Sequence, residues 1–362
     1  MSATLSPATT GRTGATATLV GGLDLGGTKM QAVVVDETHS VLGAARQPTP
    51  TRGGPTDVTA ALADTLRAAA HAAGVALADL GGVGVGSPGA VDAAAGTVSG
   101  AGNLPGWAGS HALGPALTSV LGVPVHLGND VQVATRAEFE LGAGRPFRSL
   151  LGVFCGTGVG GGLILDGRPW LGRGAAGEIG HVVVRLGGAR CPCGRRGCLE
   201  AYAGRGAMET RARQLVRRGR STCLFQIMER RGRTRLASGV FARALARKDP
   251  LATRLVDRAI RALGAAIASA VNLLDLEAVI IGGGLGLRLG EPFVEAVREA
   301  TLPHLFVPDR PPAMLLAELG DLGGAIGAAL LVEPAPCLVD PAGLSPVARF
   351  HPVESSVSAP RR

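Results

Sequence analysis

The sequence predicts an α/β protein of two domains with a cleft between them, on three observations. The chain has 362 residues, which is long for one compact core. A strand, a glycine-rich turn and a second strand occur twice, first over 19–36 and again over 149–165. Helical segments lie downstream of both copies, so the pattern reads as one β-meander/α unit present in duplicate.

The elements follow in chain order. Residues 1–18 are rich in Ser, Thr, Ala and Gly and have no apolar core, so they read as a disordered tail rather than a secretory segment. The β-rich runs 19–25 and 30–36 flank Gly26-Gly27-Thr28-Lys29, and 41–47 adds a third strand to an antiparallel meander. Segment 56–73 has the Ala/Leu periodicity of a helix, whereas 82–86 and 123–127 read as buried strands. A helix over 131–141 starts just after Asn129-Asp130. Strands over 149–155 and 159–165 surround Gly156-Thr157-Gly158, a long helix covers 251–274, and a strand over 278–281 runs into the glycine turn 282–286. A last helix occupies 323–332, and the Pro- and Ser-rich stretch 333–362 reads as a loose tail.

Composition narrows the class. No apolar run approaches the roughly 18 residues that a membrane span needs. With 56 glycines and only 3% aromatic residues, the core has to be built from Ala, Val and Leu, with many turns that bring backbone close to something. The formal charge of +8 is unevenly placed, since nine arginines fall within 211–235. Such a run reads as a solvated helical face, and the overall basicity fits anionic ligands such as nucleotide phosphates.

The most specific local signal is His181 followed by Cys191-Pro-Cys193-Gly-Arg-Arg-Gly-Cys198, with Glu178 and Glu200 on either side. One imidazole and three thiolates make a complete tetrahedral set for zinc and leave no open position for water, which makes the metal structural. The alternative is disulfide pairing, because Cys155, Cys223 and Cys337 bring the cysteines to six. The absence of a secretory segment favours a reducing, cytoplasmic setting and therefore the metal. A closed knot of this kind would hold Glu178 and Glu200 as rigid acceptors, suited to a polyhydroxyl ligand.

Glycines between strands let backbone N–H groups converge on a phosphate chain. Any one such turn is equally a tight hairpin. Three in order, with Asp24 ahead of the first and Thr28 and Thr157 at matching places, point further. Asp24 ends an apolar run, where a lone carboxylate needs a partner such as Mg²⁺ or a buried donor.

Asp24-Leu-Gly-Gly-Thr-Lys29, the stretch from Leu151 through Gly-Glu-Ile-Gly-His181, and the Cys-x-Cys-Gly-x-x-Gly-Cys-x-Glu motif together resemble the ROK family of bacterial sugar kinases and repressors, across nearly all of 20–332. The resemblance implies the actin/hexokinase-like fold, a ribonuclease H-like unit duplicated around a central cleft. It places 19–128 with 318–332 in a smaller α/β domain and 129–317 in a larger one that carries the zinc knot. It also implies nucleotide and Mg²⁺ contacts at Asp24, Gly26, Gly27, Thr28, Lys29, Gly156, Thr157, Gly158, Gly283 and Gly284. Sugar contacts are implied at Asn103, Asn129, Asp130, Glu178, His181 and Glu200, with Asp130 as the general base.

Each sugar residue also has a chemical reading of its own. The Asn103 amide can donate and accept toward adjacent hydroxyls, or simply cap its loop. Asp130 opens a helix and could be an N-cap or first-turn acid. As a base it would take the proton of a primary hydroxyl while the γ-phosphoryl moves across. His181 can hold zinc through one ring nitrogen and a sugar or acceptor through the other. Trp107 reads as loop packing.

Repressors of the family carry an N-terminal helix-turn-helix, for which eighteen low-complexity residues are too few, and its polyphosphate-using members generally lack the cysteine motif. The expectation is a cytoplasmic ATP-dependent hexokinase of glycolysis, forming a homo-oligomer (dimer or tetramer), with glucose as substrate and no nucleic-acid or membrane partner. N-acetylmannosamine or N-acetylglucosamine kinase activity, and a non-catalytic sugar-responsive regulator, are the alternatives.

Overall fold

The computed structural model describes residues 18–102 and 104–332. The expected tails, residue 18 apart, together with Asn103 and Cys337, lie outside the described residues.

The chain opens with β1 (Leu19–Leu25), β2 (Lys29–Val35) and β3 (Val41–Pro48), followed by α1 (Pro55–Ala73) and β4 (Leu80–Ser87). A small antiparallel sheet of β5 (Ala90–Asp92), β6 (Thr97–Ser99) and β7 (Ser110–His111) precedes α2 (Leu113–Leu121), β8 (Val125–Asn129) and α3 (Asp130–Leu141). The second half begins with β9 (Leu150–Cys155), β10 (Val159–Leu165) and β11 (Arg168–Pro169). Five helices follow: α4 (Glu200–Ala203), α5 (Arg205–Arg217), α6 (Leu224–Arg230), α7 (Ser238–Ala246) and α8 (Pro250–Leu274). The chain continues through β12 (Ala278–Gly282), α9 (Gly283–Leu289), α10 (Glu291–Thr301), β13 (Ala313–Leu316) and α11 (Gly323–Ala329).

The duplication is plain in the sheets. The first has the order β3-β2-β1-β4-β8 and the second β11-β10-β9-β12-β13. Each consists of an antiparallel meander extended by two parallel strands. This is the ribonuclease H-like unit twice over, the actin/hexokinase-like fold.

Each sheet is covered differently on its two faces. Leu23, Leu25 and Val85 of the first sheet bury against Leu62 and Leu66 of α1 and Leu117 of α2. On the second sheet, Leu151, Val153, Val279 and Ile281 meet α8, whose Leu255, Ala259, Leu263 and Ile267 recur at intervals of four and so form one buried stripe. The opposite faces are levelled by glycine. A Cβ on Gly22 or Gly84 would lie 2.0 Å from the Ala325 carbonyl oxygen or 1.7 Å from that of Ala328, so α11 rests directly on the first sheet's backbone. In the same way Gly160 and Gly162 admit Val131 and Thr135 of α3 onto the second sheet. The two helices then meet each other at Gly327, whose α-carbon faces the Val133 carbonyl so closely that a Cβ would sit 2.1 Å from it. The high glycine content thus serves helix-on-sheet contact as well as turns.

Several expectations need correction. The strand expected over 123–127 lies at Val125–Asn129. The glycine run 282–286 is not a turn between strands: Gly283, at φ +74°, starts helix α9 directly from β12. The arginine-rich run 211–235 is not one solvated helical face. It spans the end of α5, all of α6 and the loop to α7, and Arg211, Arg231, Arg233 and Arg235 line the central cleft. The small sheet, α2 and the elements between 200 and 250 were not read from the sequence at all.

Candidate active site

A cleft of about 2450 Å³ runs between the two sheets. That is well beyond the usual volume of a single small-molecule pocket and leaves room for two ligands side by side. Its walls bring together Asp24, Gly26, Gly27, Thr28 and Lys29 from the β1–β2 hairpin, and Gly156, Thr157 and Gly158 from the β9–β10 hairpin. Asn129, Asp130, Glu178, His181, Glu200, Gly283 and Gly284 reach the same space. Sites separated by more than 250 residues therefore converge, and Asn103 is the one expected residue outside the description.

The two hairpins are equivalents. In the first, the Gly26 N–H donates to the Lys29 carbonyl at 3.0 Å; in the second, the Gly156 N–H donates to the Gly158 carbonyl at 2.9 Å. Thr28 and Thr157 stand at the tips. The Thr157 hydroxyl accepts from Arg205 Nη2 at 3.1 Å, while Arg205 Nε donates to the Gly156 carbonyl at 3.1 Å.

Two carboxylates meet at the floor. Asp24 pairs across the sheet with Gly86, and the space left by the missing Gly86 side chain is taken by α3: Val133 Cγ2 would lie 2.9 Å and the Asp130 Cα 3.3 Å from a Cβ there. Burial pushes Asp24 up to about 6 against the favourable pull of Lys29. Asp130 is pushed up to about 7 by burial and then by the negative charge of Asp24, with Glu178 adding a smaller part. A half-protonated acid near neutral pH is suited to take a proton. The N-cap of α3 is Asn129, not Asp130: its Oδ1 accepts from the N–H groups of Val131 at 3.1 Å and Gln132 at 3.2 Å. Asn129 thereby fixes the first turn that presents Asp130, whose own Oδ1 accepts from Val131 N–H at 2.9 Å.

The knot holds the remaining acids. The ligand atoms of His181, Cys191, Cys193 and Cys198 all lie within 4.8 Å of one another. Cys193 Sγ is 3.8 Å from Cys198 Sγ, and Cys191 Sγ is 3.9 Å from His181 Nδ1. Zinc–sulfur bonds of about 2.3 Å in a tetrahedron give edges of about 3.8 Å, close to these separations, so the residues present fit that ion. Arg195 draws the Cys193 thiol down to about 6, whereas burial pushes Cys191 up to about 12, a cost that a bound cation offsets. The described cysteines are all unbridged, against the disulfide alternative. The two ring nitrogens of His181 face different neighbours, Nδ1 the Cys191 sulfur and Nε2 the Glu178 Oε2 at 3.9 Å. Glu200 Oε1 lies 3.8 Å from Cys191 Sγ, and its Oε2 accepts from Val159 N–H at 3.0 Å, which ties the knot to the second hairpin. Trp107 is loop packing: buried, its Nε1 donates to the Val98 carbonyl at 3.2 Å.

Four participants escaped the sequence reading. Gly324 of α11 rests on Asp24, where a Cβ would sit 2.9 Å from Cγ. Asp321 pairs with Lys29 at 3.4 Å and lies 3.7 Å from Arg46. Buried Glu138 accepts from the N–H groups of Glu318 and Leu319, holding the approach to α11. Arg205 is the fourth. Only the Gly323-Gly324 pair carried a local signal; the other three act through partners distant in sequence.

The comparisons with known proteins agree with this geometry. The chain is 32% identical to a glucokinase of Thermotoga maritima over 78% of its own length and 87% of that protein's. It is 31% identical to an N-acetylmannosamine kinase of Yersinia pseudotuberculosis, over 85% and 96% respectively. The structure of a ROK family glucokinase from Streptomyces griseus in complex with glucose and AMPPNP superposes with a TM-score of 0.73 at 30% identity, covering 86% of this chain and 98% of that one. The ROK family model matches residues 20–335. With duplicated sheets, paired glycine hairpins, a half-buried acid pair and a Cys₃His knot, and with the family model matching 20–335, the chain belongs to the ROK family.

Proposed function

We propose that the protein transfers the γ-phosphoryl group of Mg·ATP to the 6-hydroxyl of a hexose, with glucose as the preferred acceptor. The observation that carries this reading is the position of Asp130: a half-buried carboxylate at the cleft floor, between two phosphate-approaching hairpins on one side and the Glu178–His181–Glu200 acceptors on the other. In the reaction Asp130 takes the hydroxyl proton as the sugar oxygen bonds to the γ-phosphorus and the bond to the β–γ bridging oxygen breaks, releasing ADP. Glu178, His181 and Glu200 accept from the sugar hydroxyls. Asp24, which burial leaves short of positive charge, would hold the Mg²⁺, and that ion neutralises charge on the phosphates when bound.

His181, Cys191, Cys193 and Cys198 hold one structural zinc, and thiolates kept as ligands suit a reducing, cytoplasmic setting. We take 19–128 with 318–332 and 129–317 as the two domains, each built on one of the five-stranded sheets. The similarity to an N-acetylmannosamine kinase supports a second reading, in which the acceptor carries an acetamido group at C2.

The test is ADP release from Mg·ATP with glucose, mannose, fructose, N-acetylglucosamine and N-acetylmannosamine, with the phosphorylated position read by NMR. Fastest turnover on glucose to the 6-phosphate is expected. Turnover confined to an acetamido sugar would replace the acceptor, and ADP release with none of them would remove the kinase reading.

A further inference from the structure

The donor side of the cleft is arginine-rich, and one guanidinium in it is built into the second hairpin. Arg205, the first residue of α5, grips Gly156 and Thr157 by three hydrogen bonds: its Nε and backbone N–H donate to the Gly156 carbonyl at 3.1 and 3.3 Å, and Nη2 donates to the Thr157 hydroxyl at 3.1 Å. The next residue, Gly206, donates to the Thr157 carbonyl at 3.0 Å. The guanidinium is therefore immobilised against the turn whose backbone approaches phosphate, and it forms part of the cleft wall.

Its charge has little local compensation. Arg233 and Arg235 stand close enough to disfavour its protonated form, as burial also does. Glu209, the one acid acting in the opposite sense there, is already engaged by Arg213 Nε and Nη2, by Arg235 Nε and by the Leu236 N–H. Hydrogen bonds to two neutral oxygens do not neutralise a guanidinium. A half-buried cation of this kind, held in place and under-compensated, calls for an anion in front of it.

We infer that Arg205 binds the phosphate chain of the donor nucleotide, its guanidinium acting with the Thr157 hydroxyl as one anion-recognition unit, while Arg233 and Arg235 supply the surrounding positive field. The inference rests on the kinase reading above and deepens its donor half. The planar fork suits this place: Nε and Nη2 are held by the turn, and Nη1 makes no hydrogen bond among the described residues, which leaves a charged donor for a phosphate oxygen.

The experiment compares the parent with Arg205→Gln and Arg205→Lys, using full-length protein checked for zinc content and circular dichroism. Mg·ATP affinity is measured directly by calorimetry without sugar, and KM for ATP and hexose separately by turnover. Arg205→Gln keeps a donor for the Thr157 hydroxyl and removes the charge. It should weaken Mg·ATP binding about 10-fold or more, the scale of one charge-assisted contact, and leave hexose KM within about twofold. Added guanidinium ion should restore part of the lost ATP turnover in this variant, which a merely structural role would not allow. Arg205→Lys should fall between the two, because the charge remains and the fork does not. ATP binding within about twofold of the parent in Arg205→Gln overturns the inference while leaving the kinase reading intact, and so does equal weakening of ATP and hexose without guanidinium rescue. A parent that binds no ATP overturns both. Should Arg205→Gln not fold, the Arg205→Lys affinity decides: parental ATP affinity and turnover in that variant count against the inference.

Discussion

At the scale of single residues, the proposed reaction makes the two floor carboxylates responsible for both rate and pH behaviour. Asp130→Asn preserves shape and removes the base, so turnover should fall by at least about 10²-fold while sugar affinity by calorimetry changes little. A rate within a few-fold of the parent would reduce Asp130 to a first-turn acid of α3. With its acid form favoured up to about 7, the parent's kcat/KM should rise with pH through that value and level off above it, since this ratio reports the free enzyme. Stability moves the opposite way. Between the ordinary value of 3.8 and about 7, the folded protein holds a proton that the unfolded chain releases, so Asp130 stabilises the fold at low pH and that contribution is lost as pH climbs through 7. The neutral Asp130→Asn variant escapes this loss. Its melting temperature should exceed the parent's at pH 8 and approach it at pH 4, measured by differential scanning fluorimetry; an equal gap at both values would mean that titration of Asp130 is not responsible. The site acids are thus arranged at the expense of the fold.

The knot is the element against which Glu178 and Glu200 rest, through His181 and Cys191, and in the proposed function these acids face the sugar. Cys193→Ser removes one of four ligands, so zinc by metal analysis should drop from about one equivalent per chain. Glu200 and His181 then lose their common anchor while the first hairpin is untouched. Hexose KM should rise about 10-fold, the lower end for perturbing the support of a bound group, with KM for ATP within about twofold; an ATP-first loss would place the knot on the donor side. The knot and both glycine hairpins were legible in the sequence because their spacing is local: ligand distance along the chain and turn chemistry determine them directly. So were β1 to β3, α1, α3, α8, β9, β10 and β12, whose apolar periodicity is strong. The small sheet β5–β7 was not, because strands of two or three residues are too short to establish a period. Helices α5 and α6 were hidden by the arginine run, whose charge density masks a buried side that includes Ala212, Leu215, Leu224 and Ile227. Nor could any local pattern reveal that Gly324 rests on Asp24 or that Arg205 grips Thr157, since both are contacts between parts of the chain that meet only after folding.

For the molecule as a whole, the cleft carries both signs of charge. Asp24, Asp130, Glu178 and Glu200 line it together with many arginines, among them 205, 211, 231, 233, 235 and 243 and, from the knot segment, 185, 190 and 196. Arg217, Arg218 and Arg230 belong to the same sequence run but do not line the cleft. Replacing these three with alanine should leave KM for ATP within about twofold at low and high salt, because exposed charges beyond about 10 Å are largely screened; a steep rise would mean that the long-range field of the whole run, and not the cleft arginines, attracts the nucleotide. The contact between α3 and α11 also has a mechanical meaning. The helices touch backbone to backbone at Val133 and Gly327, with no side chain between them to compress, so this crossing is the natural fulcrum for any rotation of one sheet against the other. Asp130 lies three residues from it on α3, and Gly324, on which Asp24 rests, lies three residues from it on α11, each about 4.5 Å along its axis. The two acids therefore sit on very short lever arms, whereas the hairpin tips and the knot sit on long ones. A rotation about this crossing that widened the mouth of the cleft would hardly change the spacing between Asp130 and Asp24, so the two carboxylates would keep their mutual placement while the walls around them moved.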